Sequence, residues 1–215
     1  MKRAVIGLVG PIASGKGFLA EFLVGKGFSY WSLSDRVREE ADRRGLPRER
    51  NILQDIGNDL RQNSGPAVLA KKTMALVPDE VDLVLIDSIR NPTEIDYLKA
   101  FGAVIVGIDA PLHKRLEWYL KRAAERGEDG ASEADFYQAN ARDLGEGEDA
   151  YGQQGALCLK LSDIRLENDG TEKFLREGLE RLREGLGWGL DGGPEGPPST
   201  KESETPLPAP LRWRR

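Results

Sequence analysis

The chain has almost none of the residues from which metal centres and covalent cross-links are built. Cys158 is its one cysteine and His113 its one histidine, which excludes an intramolecular disulfide and a His/Cys zinc cluster. No run approaches the roughly 20 apolar residues that a membrane helix needs. The opening "MKRAVIGLVG" has the basic-then-apolar outline of a signal peptide, but Gly7 and Gly10 break the run and Lys16 follows too soon. It reads as a buried strand. A surplus of positive charge is missing as well: 36 acidic side chains outnumber 31 basic ones, so no broad field attracts nucleic acid or an anionic membrane. Any polyanion must be held locally, and the expectation is a cytoplasmic protein.

What is present is a strict alternation of strand-like and helix-like segments within 215 residues, enough for one sizeable core. Residues 3–9 are apolar on both faces, as in the interior of a parallel sheet, and 16–25 carry helical spacing at Phe18, Leu19, Phe22 and Leu23. Further strands are expected near 28–33, 81–87, 103–109 and 163–167. Helices are expected from Ser34 to Gly45, over 48–64, 66–77, 92–100, 111–126 and 153–161, and from 171 to 186. This order predicts a three-layer α/β/α sandwich around a parallel sheet of about five strands. Between these elements, "GEDGASEADFYQANARDLGEGEDAYG" mixes acids, glycines and one amphipathic turn pattern, and it reads as a mobile flap, with a helical lid at about 122–150. The domain is expected to span 1–187. From 188 to 215 the chain is rich in Gly, Pro, Ser and Glu and is expected to be a disordered tail. Its final "LRWRR" is either a solvated terminus or a grip for a partner, and homodimerisation is also left open.

The stretch "VGPIASGKGF" has the P-loop spacing Gly10-x-x-x-x-Gly15-Lys16, between a buried strand and a helix that starts at the lysine. Glycines let successive N–H groups turn toward phosphate oxygens, the helix N-terminus adds positive potential, and Lys16 reaches the β and γ phosphates. Gly10, Ala13, Ser14, Gly15, Lys16, Gly17 and Phe18 are therefore the expected ATP contacts. The hydroxyl residue that usually follows the lysine and ligates Mg²⁺ is replaced by Gly17. Metal would then rest on ATP oxygens, water and Asp87, with Ser14 or Ser88 assisting. Asp87 ends the apolar run "LVLID", where a carboxylate can orient water on Mg²⁺.

These residues resemble the nucleoside monophosphate kinases. Gly17 is similar to the adenylate kinase form of the loop, although Phe18 replaces the hydroxyl found there. "DSIR" with Glu94 looks like the "DGFPR" run and its later glutamine, and Ser34-Asp35-x-x-Arg38 looks like "TGDLLR". A closer resemblance spans nearly the whole folded chain, through "LSDRVREEADRRGLPRERNILQDIGNDLRQNSGPAVLA", "IDSIRNPTEI" and "GQQGALCLKLSDIRLENDGT". These are similar to P-loop proteins of the dephospho-CoA kinase-like or AAA-family ATPase group, a domain also fused ahead of deoxycytidylate deaminases. No H-x-E with P-C-x-x-C is found here.

The resemblance implies an ATP- and Mg²⁺-dependent kinase acting on a small nucleotide. Arg38, Arg61 and Arg90 would hold an acceptor phosphate, Asp35 would orient the acceptor, and Glu94 would read its base. Arg122 and Arg126, four apart on one helix face, would close over the transferring group, and Asn168 would line the adenine side. Arginine forks suit such a site because they stay charged in a water-poor cleft. Dephospho-CoA is the rival acceptor, and a nucleotide sensor without turnover is the rival from another class. Cys158 and His113 are read as structural.

Overall fold

The computed structural model describes residues 3–126, 132–171, and, within the last helical stretch, 173, 174, 177, 178 and 180–182; the side chains of 124–126 are outside that description. The expected tail at 188–215 also lies outside the described residues. Five strands, β1 (Ala4–Val9), β2 (Ser29–Ser32), β3 (Leu83–Asp87), β4 (Val104–Asp109) and β5 (Ile164–Glu167), form one sheet in the order β2-β3-β1-β4-β5. Every neighbouring pair is parallel, and in the central strand Gly7 aligns with Ile86 on one side and Ile105 on the other.

Both faces of that sheet are covered, which is why its inner strands are apolar without alternation. Val5, Val9, Val84, Ile86 and Ile105 enter one core cluster with helices α2 (Leu33–Arg44), α3 (Arg50–Ser64), α4 (Val68–Met74), α5 (Pro92–Lys99) and α8 (Gly155–Lys160). Ile6, Leu8, Leu85, Val106 and Ile108 enter the other, with α1 (Lys16–Gly25) and with Phe174 and Leu182 of the last helical stretch. The architecture is the expected three-layer α/β/α fold, and α6 (Leu112–Arg126) and α7 (Glu133–Leu144) pack through Leu116, Tyr119, Phe136 and Ala139 against Ile12 and Ala13 of the loop after β1.

Within the segment read as a mobile flap, residues 133–144 form the helix α7, packed on one face. Ser132 caps it in a reciprocal box with Asp135, and Phe136, Ala139, Asn140 and Asp143 are buried at the i, i+3, i+4, i+7 spacing of one helix face. Phe136 is fully buried and forms a third small cluster with Ile12, Ala13, Leu116 and Tyr119, a contribution of about 1.5–3 kcal/mol from burial of that side chain. Acids and glycines obscured the pattern in the sequence because they fill the exposed face and the flanking turns.

Candidate functional site

The loop from Gly10 to Lys16 leaves the carboxyl end of the central strand, where successive connections run to opposite sides of the sheet. In open parallel sheets ligands settle at that point. Two glycines are imposed by the loop's geometry. Gly10 has φ +151, and a Cβ there would stand 2.1 Å from the Ile108 carbonyl oxygen; Gly15 has φ +95, and its Cβ would stand 2.0 Å from Asn168 Nδ2. Ala13 shares the left-handed conformation, with φ 59.

Gly15 is also the N-cap of α1. It supplies no side-chain cap, and the first turn holds no acid, so the leading N–H groups are left to an external acceptor. Ser14 Oγ is buried and has no hydrogen-bond partner among the described residues. Lys16 folds back over the loop, its Nζ donating to the carbonyls of Gly10 at 2.7 Å and Pro11 at 3.0 Å. Burial, then the nearby Arg90, lower the Lys16 pKa to about 8; Asp87 and Asp143 pull it upward, and Arg122 adds to the lowering. Among the described residues no carboxylate pairs directly with Lys16, and the oxygens of a bound polyphosphate would supply the missing anion. Gly17 is exposed, and a Cβ added there would meet nothing within 4 Å; Phe18 beside it is partly buried.

Asn168, which the resemblance puts on the adenine side, packs against the phosphate loop itself. Its Nδ2 donates to the Ser14 carbonyl at 3.0 Å, its Oδ1 accepts the Gly170 N–H at 2.9 Å, and its own N–H donates to the Asp109 carbonyl at 2.8 Å. It is a fully buried brace under the phosphate loop.

On the other side of the loop, Asp87 ends β3 half-buried. Its Oδ2 accepts the Tyr30 hydroxyl at 2.8 Å and its Oδ1 accepts the Ser88 N–H at 2.6 Å, holding Ser88 at a left-handed φ of 64. Burial and the Asp87 charge push the Tyr30 phenol up, so it remains a donor. From Ser88 a hydroxyl chain runs to Ser32 at 3.0 Å, on to Ser34 at 2.8 Å, and from Ser34 to Arg38 Nη1 at 2.8 Å. Arg38 also donates to Asp35 at 2.7 Å, an ion pair with both side chains well exposed.

Arg61, expected at an acceptor phosphate, is buried in an ion pair. Arg61 Nε donates to Glu94 Oε1 at 2.9 Å, and the two side chains are 3% and 0% exposed. Glu94 spends its second oxygen on the N–H groups of Arg90 at 2.8 Å and Asn91 at 3.0 Å, as the capping box of α5. The residue read as a base selector is a helix cap and the partner of a buried cation. Its sequence signal was the Asn91-Pro92-x-Glu94 start of a helix.

Arg90 does reach the loop, with Nη1 donating to the Gly10 carbonyl at 3.3 Å and to Asp143 Oδ1. Burial alone would lower its pKa, but Asp143 and then Asp87 outweigh it and raise it. Asp143 was missed by sequence reasoning because it sits in the supposed flap. Its Oδ2 accepts the Ile12 N–H at 2.9 Å, so this carboxylate of α7 ties the loop to Arg90. Arg115 was missed too. It is buried, donates to the Ile12 carbonyl at 3.3 Å and to Asn140 Oδ1 at 2.6 Å, and burial lowers its pKa. Arg122 lies close enough to Lys16 to affect its charge, whereas the Arg126 side chain is outside the described residues. Among the described residues no three His, Cys, Asp or Glu side chains stand together as a metal site, and no helix is long and apolar enough to cross a membrane.

No protein-family model matches the chain. A UPF0200 protein of Thermococcus sibiricus is 32% identical over 190 residues, covering 85% of this chain and 95% of the relative. Among solved structures, the protein TT1252 from Thermus thermophilus aligns with a TM-score of 0.57 at 18% identity, over 86% of this chain and 99% of that one. A gluconokinase from Sinorhizobium meliloti aligns with a TM-score of 0.51 at 16% identity, over 87% of this chain and 97% of that one. These likenesses establish a kinase-like P-loop fold.

Proposed function

We propose that this chain, which belongs to the UPF0200 family, is an ATP-dependent phosphotransferase that moves the γ-phosphoryl group of ATP to a small-molecule acceptor. The observation that carries this reading is the phosphate cradle: a glycine loop whose two key positions admit no side chain, an uncapped helix start, and a partly buried Lys16 turned onto loop carbonyls. A triphosphate would replace those carbonyls as the partner of Lys16 and occupy the free N–H groups of α1.

The residues also fit Mg²⁺. Asp87 stands at the end of β3 and Ser14 Oγ is an unpartnered buried hydroxyl; these would hold the ion through ATP oxygens and water, and it would neutralise charge on the phosphates. Arg90 is aimed at the loop, and Arg122 is near Lys16. Both place positive charge where charge shifts as the phosphoryl group moves. Asn168 and Asp143 keep the loop in shape from two sides. Positioning and charge neutralisation supply most of the rate in such chemistry.

The resemblance offers two acceptors, a nucleoside monophosphate and dephospho-CoA. A second reading, a nucleotide sensor with little turnover, is favoured by Gly17, which leaves the usual Mg²⁺-ligating hydroxyl out. Purified full-length protein with ATP, Mg²⁺ and a panel that holds both classes of acceptor together with nucleosides and simple polyols, followed by ADP formation against a Lys16→Ala control, separates the readings. Acceptor-stimulated ADP formation that the control lacks is the expected result; tight ATP binding without stimulation makes the protein a sensor. Equal ATP affinity in wild type and Lys16→Ala removes the phosphate cradle from the argument.

A further inference from the structure

Resting on the phosphotransferase reading, we infer that the acceptor subsite beside β2 and β3 takes a hydroxyl group of an uncharged, polyhydroxylated small molecule and has no place built for an acceptor phosphate. Each of the three arginines expected to hold that phosphate is already matched by a carboxylate: Arg38 by Asp35, Arg61 by Glu94, Arg90 by Asp143.

The depth of each pair decides what it can give up. Arg61 and Glu94 are 3% and 0% exposed, so turning Arg61 to a substrate would strand a carboxylate in the core. Asp143 is 3% exposed and also holds the Ile12 N–H, so Arg90 is bound to the donor side of the loop. Arg38 and Asp35 are 40% and 49% exposed, and of the three pairs this one can swing at little cost. A single arginine beside its own aspartate, with Asp87 nearby, makes a poor home for a dianion.

The same wall is instead rich in hydroxyls. Asp87 accepts the Tyr30 hydroxyl and the Ser88 N–H, and from the Ser88 hydroxyl a chain runs through Ser32 and Ser34 to Arg38; Tyr30, Ser34 and Ser88 are partly exposed. Hydroxyls both donate and accept, and the carboxylates accept, which suits neighbouring OH groups of a sugar-like acceptor. In the transfer, the acceptor hydroxyl oxygen forms a bond to the γ-phosphorus, and the bond from that phosphorus to the β–γ bridging oxygen breaks. ADP leaves, the hydroxyl proton goes to solvent, and a phosphomonoester remains.

The test uses the full chain loaded with Mg²⁺ and the non-hydrolysable analogue AMP-PNP. It is titrated calorimetrically with ribo- and deoxynucleoside 5′-monophosphates and with the matching nucleosides; the same compounds, with glycerol, D-ribose and myo-inositol, are then assayed as acceptors with ATP. The expected result is that monophosphates bind no more than about tenfold tighter than their nucleosides, a gap worth one arginine at most. An uncharged member of the panel is expected to stimulate ADP formation and yield a phosphomonoester by ³¹P NMR. Asp35→Asn releases Arg38, and monophosphate affinity is expected to rise by about tenfold or more over the nucleosides. A wild-type preference for a monophosphate well beyond tenfold, or no gain in Asp35→Asn, overturns the inference while leaving the phosphotransferase reading in place. Failure of AMP-PNP itself to bind overturns both, and is seen before any acceptor is added.

Discussion

Replacing Asp143 with asparagine changes one atom type in the carboxylate that ties the phosphate loop to Arg90. The Asp143 side chain is 3% exposed and that of Arg90 19%, and removing one partner of a buried pair typically costs about 3–5 kcal/mol because a charge is left without compensation. Two features lower that figure here. The amide oxygen of asparagine can still accept the Ile12 N–H, so no backbone donor is orphaned, and Arg90 keeps the Gly10 carbonyl and the field of Asp87. The expected loss is about 2–3 kcal/mol, or a fall in Tm of roughly 4–12 °C at 2–4 °C per kcal/mol for a domain of this size. Asp35→Asn is the internal control: the same change in a well-exposed pair should cost less than about 1 kcal/mol. Urea unfolding of the two variants and wild type at equal m-value gives the comparison. A second readout is functional, because Asp143 holds the Lys16 pKa up; in Asp143→Asn, ATP affinity should start to fall at a lower pH than in wild type. If the two variants are equally stable, or the pH profile does not move, Asp143 does not balance the charge of this site.

Other expectations follow from the same geometry. With free Lys16 titrating at about 8 and bound phosphate favouring its charged form, binding takes up a proton above that pH, so ATP affinity should fall by up to about tenfold per unit above pH 8 and stay flat below it; calorimetry between pH 6.5 and 9.5 checks this, and Lys16→Met should flatten the curve. Gly17→Ser meets nothing within 4 Å, so it should fold normally and, by adding the missing hydroxyl, lower the Mg²⁺ concentration needed for half-maximal ADP formation; a variant with unchanged Mg²⁺ dependence would show that the metal is anchored without position 17. Gly15→Ala puts a Cβ 2.0 Å from Asn168 Nδ2 at a left-handed φ of +95, which should lower stability by about 1–3 kcal/mol and abolish ATP binding; adding Asn168→Ala should recover part of the stability, as urea unfolding will show.

The donor half of the site was readable because it is local. Gly10, Gly15 and Lys16 are spaced along one loop, and the apolar run before them and the helical spacing after them reveal its setting. Asp87 at the end of β3 was readable for the same reason. Arg61 and Glu94 were not: each looks like a candidate ligand along the chain, but they are separated by 33 positions and find each other in the core. Asp143 lies 131 positions from the Ile12 N–H that it accepts, and nothing near either residue announces the other. Asn168 was noticed, yet the reason for it is the Cβ-free face of Gly15, contributed from the far end of the fold.

Periodicity and turn chemistry within short windows therefore determined the strands, the helices, their alternation and the phosphate loop, since backbone preference and one-sided burial act over a few residues. Which cations stay available for a ligand was decided by the tertiary structure alone. A charge buried on folding must find its compensation across the whole chain, and that choice sent Arg61 to Glu94 and Arg90 to Asp143, leaving Arg38 with Asp35 at the surface of the hydroxyl-lined wall.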